Sequence, residues 1–310
     1  MMNPIFASSA LRRMRSMRTV VILTVYGALM LAFAILSSLA VLGRQTMTIG
    51  SMRQGIEYYV FSVVLQFLMI LMVAPGMTAG SIAGERERQT LDLILVTQTG
   101  AFSIALGKLM ESFSFVALIL FSSLPAISVV LLFGGVSVLQ VMMVFLFMLV
   151  SALGALSIGL LASTIFKRST TATVVSYLAV FAVGIITLVP LGFESKEMSK
   201  LMSDISNGAS LDMNMLLAAI PKIVLVNPGV GLLALLAGQT GMLERTFGIL
   251  PWGYYYYQIM DEMNFTIITW INMGIVFSLS LILTFISALL IRPRSGRVRK
   301  SRKVNKEMAA

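Results

Sequence analysis

Apolar residues run along this chain in long uncharged stretches, and nearly all of the charge is gathered between them. The stretches are about Thr19–Leu42, Tyr58–Thr78, Ser112–Phe133, Val138–Phe166, Thr171–Leu191 and Phe265–Ile291. A helix needs about 20 apolar residues to cross the hydrocarbon core of a bilayer, and each stretch meets that length. The fourth is long enough to require tilt. The pattern predicts an all-α polytopic membrane protein with six transmembrane helices. The first stretch exceeds the roughly 7–15 residue apolar core of a cleaved signal peptide, so it reads as an uncleaved anchor.

The segments between the stretches differ in kind. Residues 1–18 form a basic stub in which Arg12, Arg13, Arg15 and Arg18 alternate with Leu11, Met14 and Met17, as in a helix lying on lipid headgroups. The six-span domain covers 19–291, with a charged loop at 80–108 and a long polar outer region at 192–264. Residues 292–310 are a basic tail. Gly134-Gly135 makes a tight uncharged turn, and Lys167-Arg168 separates the fourth and fifth spans. Lys and Arg concentrate on the cytoplasmic side of membrane proteins. With the N-terminus inside, the cytoplasmic segments hold 17 of the 23 basic residues, and both termini are cytoplasmic.

Met215 to Gly238 is apolar enough to suggest a seventh span, but Pro221, Lys222 and Asn227-Pro228-Gly229 interrupt it. Such residues break or charge a membrane helix. A seventh span would also place the basic tail outside. The reading is therefore of re-entrant or interfacial helices before the last span, tolerated where protein covers the irregular backbone. Pro251-Trp252 and Tyr254 to Tyr257 look like an interfacial aromatic anchor. No internal repeat is visible, so an inverted-repeat transporter gains no support.

Composition narrows the chemistry. The chain is 58% apolar and 12% charged, whereas soluble domains are nearer a quarter charged; lipid is the solvent that suits it. The net charge of +10 comes without aromatic-basic interleaving, so it sets membrane orientation and nucleic acid is not a partner. With no Cys and no His, disulfides and thiolate chemistry are excluded and the usual general base is missing. Glu57, Glu111 and Asp261-Glu262 read as lying at span edges, leaving mid-depth free of charge. Ion-coupled transporters place ionisable groups there. Gln66 and Gln140 are the most polar span residues, read as interhelical hydrogen bonds. If the chain moves a substrate, the energy arrives from outside the membrane.

The loop after the second span is the candidate entry point for that energy. In Gly84-Glu85-Arg86-Glu87-Arg88-Gln89-Thr90-Leu91-Asp92, helical spacing would pair Glu85 with Arg88 and Arg88 with Asp92. Leu91, Ile94 and Leu95 would form an apolar stripe. Such a helix can dock in a partner's groove or rest on headgroups.

The segment Ala74-Pro75 through Gly107-Lys108, holding Ser81-Ile82-Ala83-Gly84-Glu85-Arg86-Glu87 and Thr90-Leu91-Asp92-Leu93, resembles the type-two ABC exporter permeases. Phe166-Lys167-Arg168-Ser169-Thr170-Thr171-Ala172-Thr173, with Ser176-Tyr177 beyond, adds to the resemblance. The family commonly has Thr-Pro-Leu-Ser after the leucine run, where this chain has Thr97-Gln98-Thr99-Gly100. The resemblance implies a permease subunit in a bacterial plasma membrane, paired with a second permease copy, identical or related, on two ABC ATPase subunits. ATP and Mg would bind those partners and no cofactor would bind this chain. A cytoplasmic coupling helix would meet the ATPase through Gly84, Glu85, Arg86, Glu87, Arg88, Thr90 and Asp92. Arg12, Arg13, Arg15 and Arg18 would belong to an elbow helix, and Lys167 and Arg168 to a second cytoplasmic contact.

The chain itself is not expected to hydrolyse ATP. A phosphate loop needs Gly, four residues, Gly-Lys, then Ser or Thr; Gly107-Lys108 has Phe102 and Leu109 at the outer positions. Two alternatives compete with the exporter: an intramembrane lipid-modifying enzyme, and a non-catalytic membrane scaffold.

Overall fold

The computed structural model describes residues 17–42, 49–91, 100–124, 131, 136–192, 200, 203, 221–240 and 265–291. Arg12, Arg13, Arg15, Asp92 and the basic tail lie outside the described residues. Every described element is helical: α1 (Met17–Leu42), α2 (Ile49–Ala79), α3 (Ala83–Glu87), α4 (Ala101–Ser122), α5 (Val138–Ile165), α6 (Ser169–Ile186), α7 (Pro228–Thr240) and α8 (Phe265–Leu290). Short 3-10 turns cover Val189–Gly192 and Lys222–Val226.

Five stretches are long and apolar enough to cross a membrane: Gly55–Glu87, which runs from α2 through α3, Ala101–Ser122, Val138–Ile165, Ser169–Ile186 and Phe265–Leu290. Their outward faces carry large apolar side chains, among them Phe61, Phe121, Leu178, Phe181, Ile185 and Phe285. Water would not tolerate so much contiguous apolar surface, whereas lipid does. These helices suit a multi-pass membrane protein.

The central post is α5. Phe147, Met148, Ala152, Leu156 and Leu160 on it are fully buried, and α2, α4, α6, α7 and α8 all pack around it. At 28 residues it is about 42 Å long. Its small residues permit close approach, as is usual where apolar side chains gain nothing by leaving lipid. A Cβ on Gly159 would lie 2.6 Å from the Pro75 carbonyl of α2, and one on Gly154 would lie 2.9 Å from Val276 of α8.

Pro75 sits inside α2 and, lacking an N–H, leaves the Leu71 carbonyl without its helical donor. The neighbouring backbone is buttressed from two sides. Tyr177 of α6 donates its hydroxyl hydrogen to the Met72 carbonyl at 2.7 Å. Thr78 donates to the Leu156 carbonyl of α5 at 2.8 Å. Gly76 makes room for the Tyr177 hydroxyl, which would lie 2.6 Å from a Cβ there.

Several boundaries depart from the sequence reading. First, α2 starts at Ile49 rather than near Tyr58, so Glu57 lies inside it and not at its edge. Second, α4 begins at Ala101 rather than near Ser112, because Ile104, Ala105 and Leu109 are buried and extend the packed face backward. Glu111 therefore lies halfway along a helix, not at its edge. Third, α6 ends at Ile186, short of Leu191, since Pro190 has no N–H to donate to the Ile186 carbonyl. Fourth, the loop helix α3 stops at Glu87 instead of continuing through Leu95. Gln89 takes a left-handed φ of 58°, and the Thr90 N–H turns back to the Glu85 carbonyl at 2.9 Å.

Of the interrupted segment 215–238, residues 221–238 are described. The segment is interrupted at Asn227-Pro228, as expected, with a 3-10 turn before it; Pro228 also starts a helix, since at the first helical position its missing N–H costs nothing. The resulting α7 has 13 residues, too few to span. It begins beside Asn272, well inside α8, and ends beside Phe265 at the start of α8.

Candidate functional site

The loop after α2 is held by its own charged side chains. At its start, the Ser163 hydroxyl of α5 accepts hydrogen bonds from the N–H groups of Ile82 and Ala83, at 2.9 and 3.0 Å. The first N–H groups of a helix have no intrahelical partner, so a neighbouring helix supplies one for α3.

Glu85, Arg86 and Glu87 then each reach a different element. Glu85 Oε1 lies 2.6 Å from Lys108 Nζ of α4, and both side chains are largely buried. Lys108 also lies 3.9 Å from Glu111 on its own helix. Arg86 donates to the carbonyls of Thr164 and Phe166, at 3.1 and 3.2 Å. Those carbonyls close the C-terminus of α5, where the helix dipole favours a cation. Glu87 accepts from the N–H of Ser169 at 3.1 Å and from its hydroxyl at 2.7 Å. Ser169 opens α6, so Glu87 places an anion at a helix N-terminus. The Ser169 hydroxyl and N–H, with Arg168 and Arg88 nearby, hold the Glu87 carboxyl below the usual carboxylate range.

The charge pairs expected along one helix are thus replaced by contacts between elements. With α3 ending at Glu87, Arg88 lies beyond that helix, and the expected Arg88–Asp92 pair falls outside the described residues. Arg88, Gln89 and Thr90 are exposed, as are Lys167 and Arg168 at the α5–α6 turn. Gly84 has open space around it. The structure brings 84–90 against 164–169, two regions that the sequence presented separately. Arg18 is the second residue of α1. Lys108 and Ser169 entered the sequence reading only as parts of longer motifs, with no contact assigned to either, and Ser163 not at all. Lys108 carried the available signal, a cation among buried apolar positions.

The span amides make interhelical hydrogen bonds. Gln66 donates to Ser123 of α4. Gln140 completes a capping box with Ser137, and Gln239 Nε2 donates to the Gln140 carbonyl at 3.1 Å. Tyr59 donates to Gln239 Oε1 at 2.8 Å, joining α2 to α7.

A second knot forms where α6, α7 and α8 meet. Asn227 Nδ2 donates to the Gly184 carbonyl and to Thr187 Oγ1, each at 2.9 Å. Its Oδ1 accepts from the Gly229 N–H at 2.7 Å, capping α7 in the manner of an N-cap asparagine. Asn272 of α8 donates to the carbonyls of Leu225 and Asn227, at 2.7 and 2.9 Å. Gly231 is required there, since a Cβ would overlap the Asn272 amide. Asn272 went unremarked in the sequence reading, though an amide inside an apolar run was its signal. Among the described residues no group of three His, Cys, Asp or Glu side chains is placed to hold a metal ion.

A scan against protein-family models matches none of them, and no curated protein matches the chain.

Proposed function

We propose that this chain is the membrane-spanning subunit of an ATP-driven ABC exporter. In this reading α1, α2, α4, α5, α6 and α8 are its six spans, both termini are cytoplasmic, and α7 with the preceding turn is a re-entrant segment. Two partner ATPase subunits bind ATP and Mg, and a second permease copy completes the path through the plasma membrane.

One observation carries the proposal: α3 is a short connection fastened to three membrane-length helices at once. Glu85 reaches α4, Arg86 reaches the end of α5, and Glu87 reaches the start of α6. A push on α3 therefore acts on all three. A coupling element needs that property, and a loop resting on headgroups does not. The Ser81-to-Glu87 segment that resembles the exporter permeases is the same segment that makes these attachments. The exposed face of Arg88, Gln89 and Thr90, beside Lys167 and Arg168, is the surface left for the ATPase. The uncharged α5, α6 and α8 form a conduit with no coupling ion of their own.

The test is co-purification and reconstitution. Full-length tagged chain, extracted in mild detergent, should bring down an ABC ATPase, and the assembly in vesicles should hydrolyse ATP. The double change Glu85→Lys with Glu87→Lys should uncouple or dissociate it. If both ATPase binding and transport survived that change, the assignment would be wrong. Turnover by the chain alone without nucleotide would instead favour a membrane enzyme.

A further inference from the structure

We propose that Lys108 is a positioning residue that holds α3 against α4, and that it works as a transferable tether, exchanging Glu85 for Glu111 when α3 is displaced. The proposal relies on the exporter reading only for what displaces α3.

The geometry supplies both ends of the exchange. Lys108 Nζ is 2.6 Å from Glu85 Oε1 and 3.9 Å from Glu111 Oε2, with side-chain exposures of 15% for Lys108, 18% for Glu85 and 11% for Glu111. One ammonium thus faces two carboxylates, and it sits in the closer contact. Stripping a buried ammonium of its only partner is strongly unfavourable. Here the second carboxylate lies one turn along the same helix, an i,i+3 neighbour. Glu111 stays with Lys108 wherever α3 goes.

Glu85 is suited to leave. Its Oε2 is buried with no partner among the described residues, so only one of its oxygens is held by Lys108. The loop it rides on is exposed from Glu87 to Thr90, and a carboxylate moving outward there regains water. Arg86 and Glu87 are fastened to backbone groups and to Ser169, which water can replace. Among the described residues the Glu85–Lys108 contact is the largely buried ion pair between α3 and a neighbouring helix, and its exchange sets how readily α3 moves.

The chain contains no cysteine, so a spin label placed through Arg88→Cys reports on α3 alone. The full-length labelled protein in lipid nanodiscs, without any ATPase, gives the mobile fraction of the label. Glu85→Gln and Lys108→Met should each raise it several-fold, and Lys108→Arg should keep it near the parent level. Glu111→Gln should lower it below the parent, because the displaced state has lost its partner. The exchange Glu85→Lys with Lys108→Glu should restore an immobile label with Glu111 intact, since the exchanged cation then faces two carboxylates on α4 and the displaced state leaves both without it. An unchanged mobile fraction in both Glu85→Gln and Lys108→Met would overturn the tether. A mobile fraction in Glu111→Gln equal to or above the parent would overturn the role of Glu111, and a mobile label in the charge exchange would overturn the ion pair. These outcomes are independent of whether an ATPase co-purifies, which tests the exporter reading separately.

Discussion

Gly159→Ala tests the packing of α5 against α2 at its tightest point. The added methyl carbon would lie 2.3 Å from Thr78 Oγ1, 2.6 Å from the Pro75 carbonyl oxygen and 3.2 Å from Pro75 Cα. Two of these are backbone atoms and cannot rotate away. Ordinary contact begins near 3.4 Å, so the helices must separate by roughly 0.8 Å, forfeiting much of the local dispersion attraction. Thr78 can turn aside only by giving up its bond to the Leu156 carbonyl. Overpacking of this kind costs about 1–3 kcal/mol, and an interhelical hydrogen bond in a membrane protein contributes about 0.6 kcal/mol. Against them stands a gain of about 1 kcal/mol from replacing a helical glycine. The expected net is a loss of about 0.6–2.6 kcal/mol. Gly274→Ala on α8 is the control: nothing lies within 4 Å of its added Cβ, so only the helix gain remains. The assay is equilibrium unfolding of the purified chain in mixed micelles with increasing denaturing detergent. If Gly159→Ala proved as stable as Gly274→Ala, the close α2–α5 contact would be refuted.

Asn272→Leu removes the donors to the Leu225 and Asn227 carbonyls, and leaving buried acceptors unmet costs about 1–3 kcal/mol. Backbone hydrogen exchange over 221–240 should accelerate while α3 is unaffected; unchanged exchange there would show that Asn272 does not hold α7. The Glu87 carboxyl, held below its ordinary value of 4.5, should keep α3 attached to α6 at and above that pH. Because the folded-state value is the lower one, the contribution is lost as pH falls through it. A label at Arg88→Cys should therefore loosen only below about pH 4.5, and Glu87→Gln should remove that dependence.

The apolar runs marked the helices well because a bilayer leaves no other way to satisfy the backbone. The boundaries were harder. Charge was read as ending a span, and that rule misplaced the start of α4: Lys108 is neutralised by Glu85 and Glu111, a pairing between elements that spacing along the chain cannot reveal. The same blindness hid the work of Arg86 and Glu87, whose partners at 164–169 are distant in sequence. Pro228 was read as interrupting a span, and it does so; that it also opens α7 was missed, because the effect of proline depends on whether a helix is already under way. Gln66 and Gln140 do make interhelical hydrogen bonds, as an amide inside an apolar run suggested. Asn272 obeyed the same logic.

The knot at Asn227 and Asn272 has a consequence for synthesis. Residues 221–240 leave the ribosome before α8 does, and until α8 arrives the Leu225 and Asn227 carbonyls lack the donor that Asn272 provides. A chain stalled ahead of residue 265 would present unmet polar backbone beside a finished wall of α5. Unmet backbone groups are costly inside a bilayer, so the arrival of α8 also completes the seating of α7.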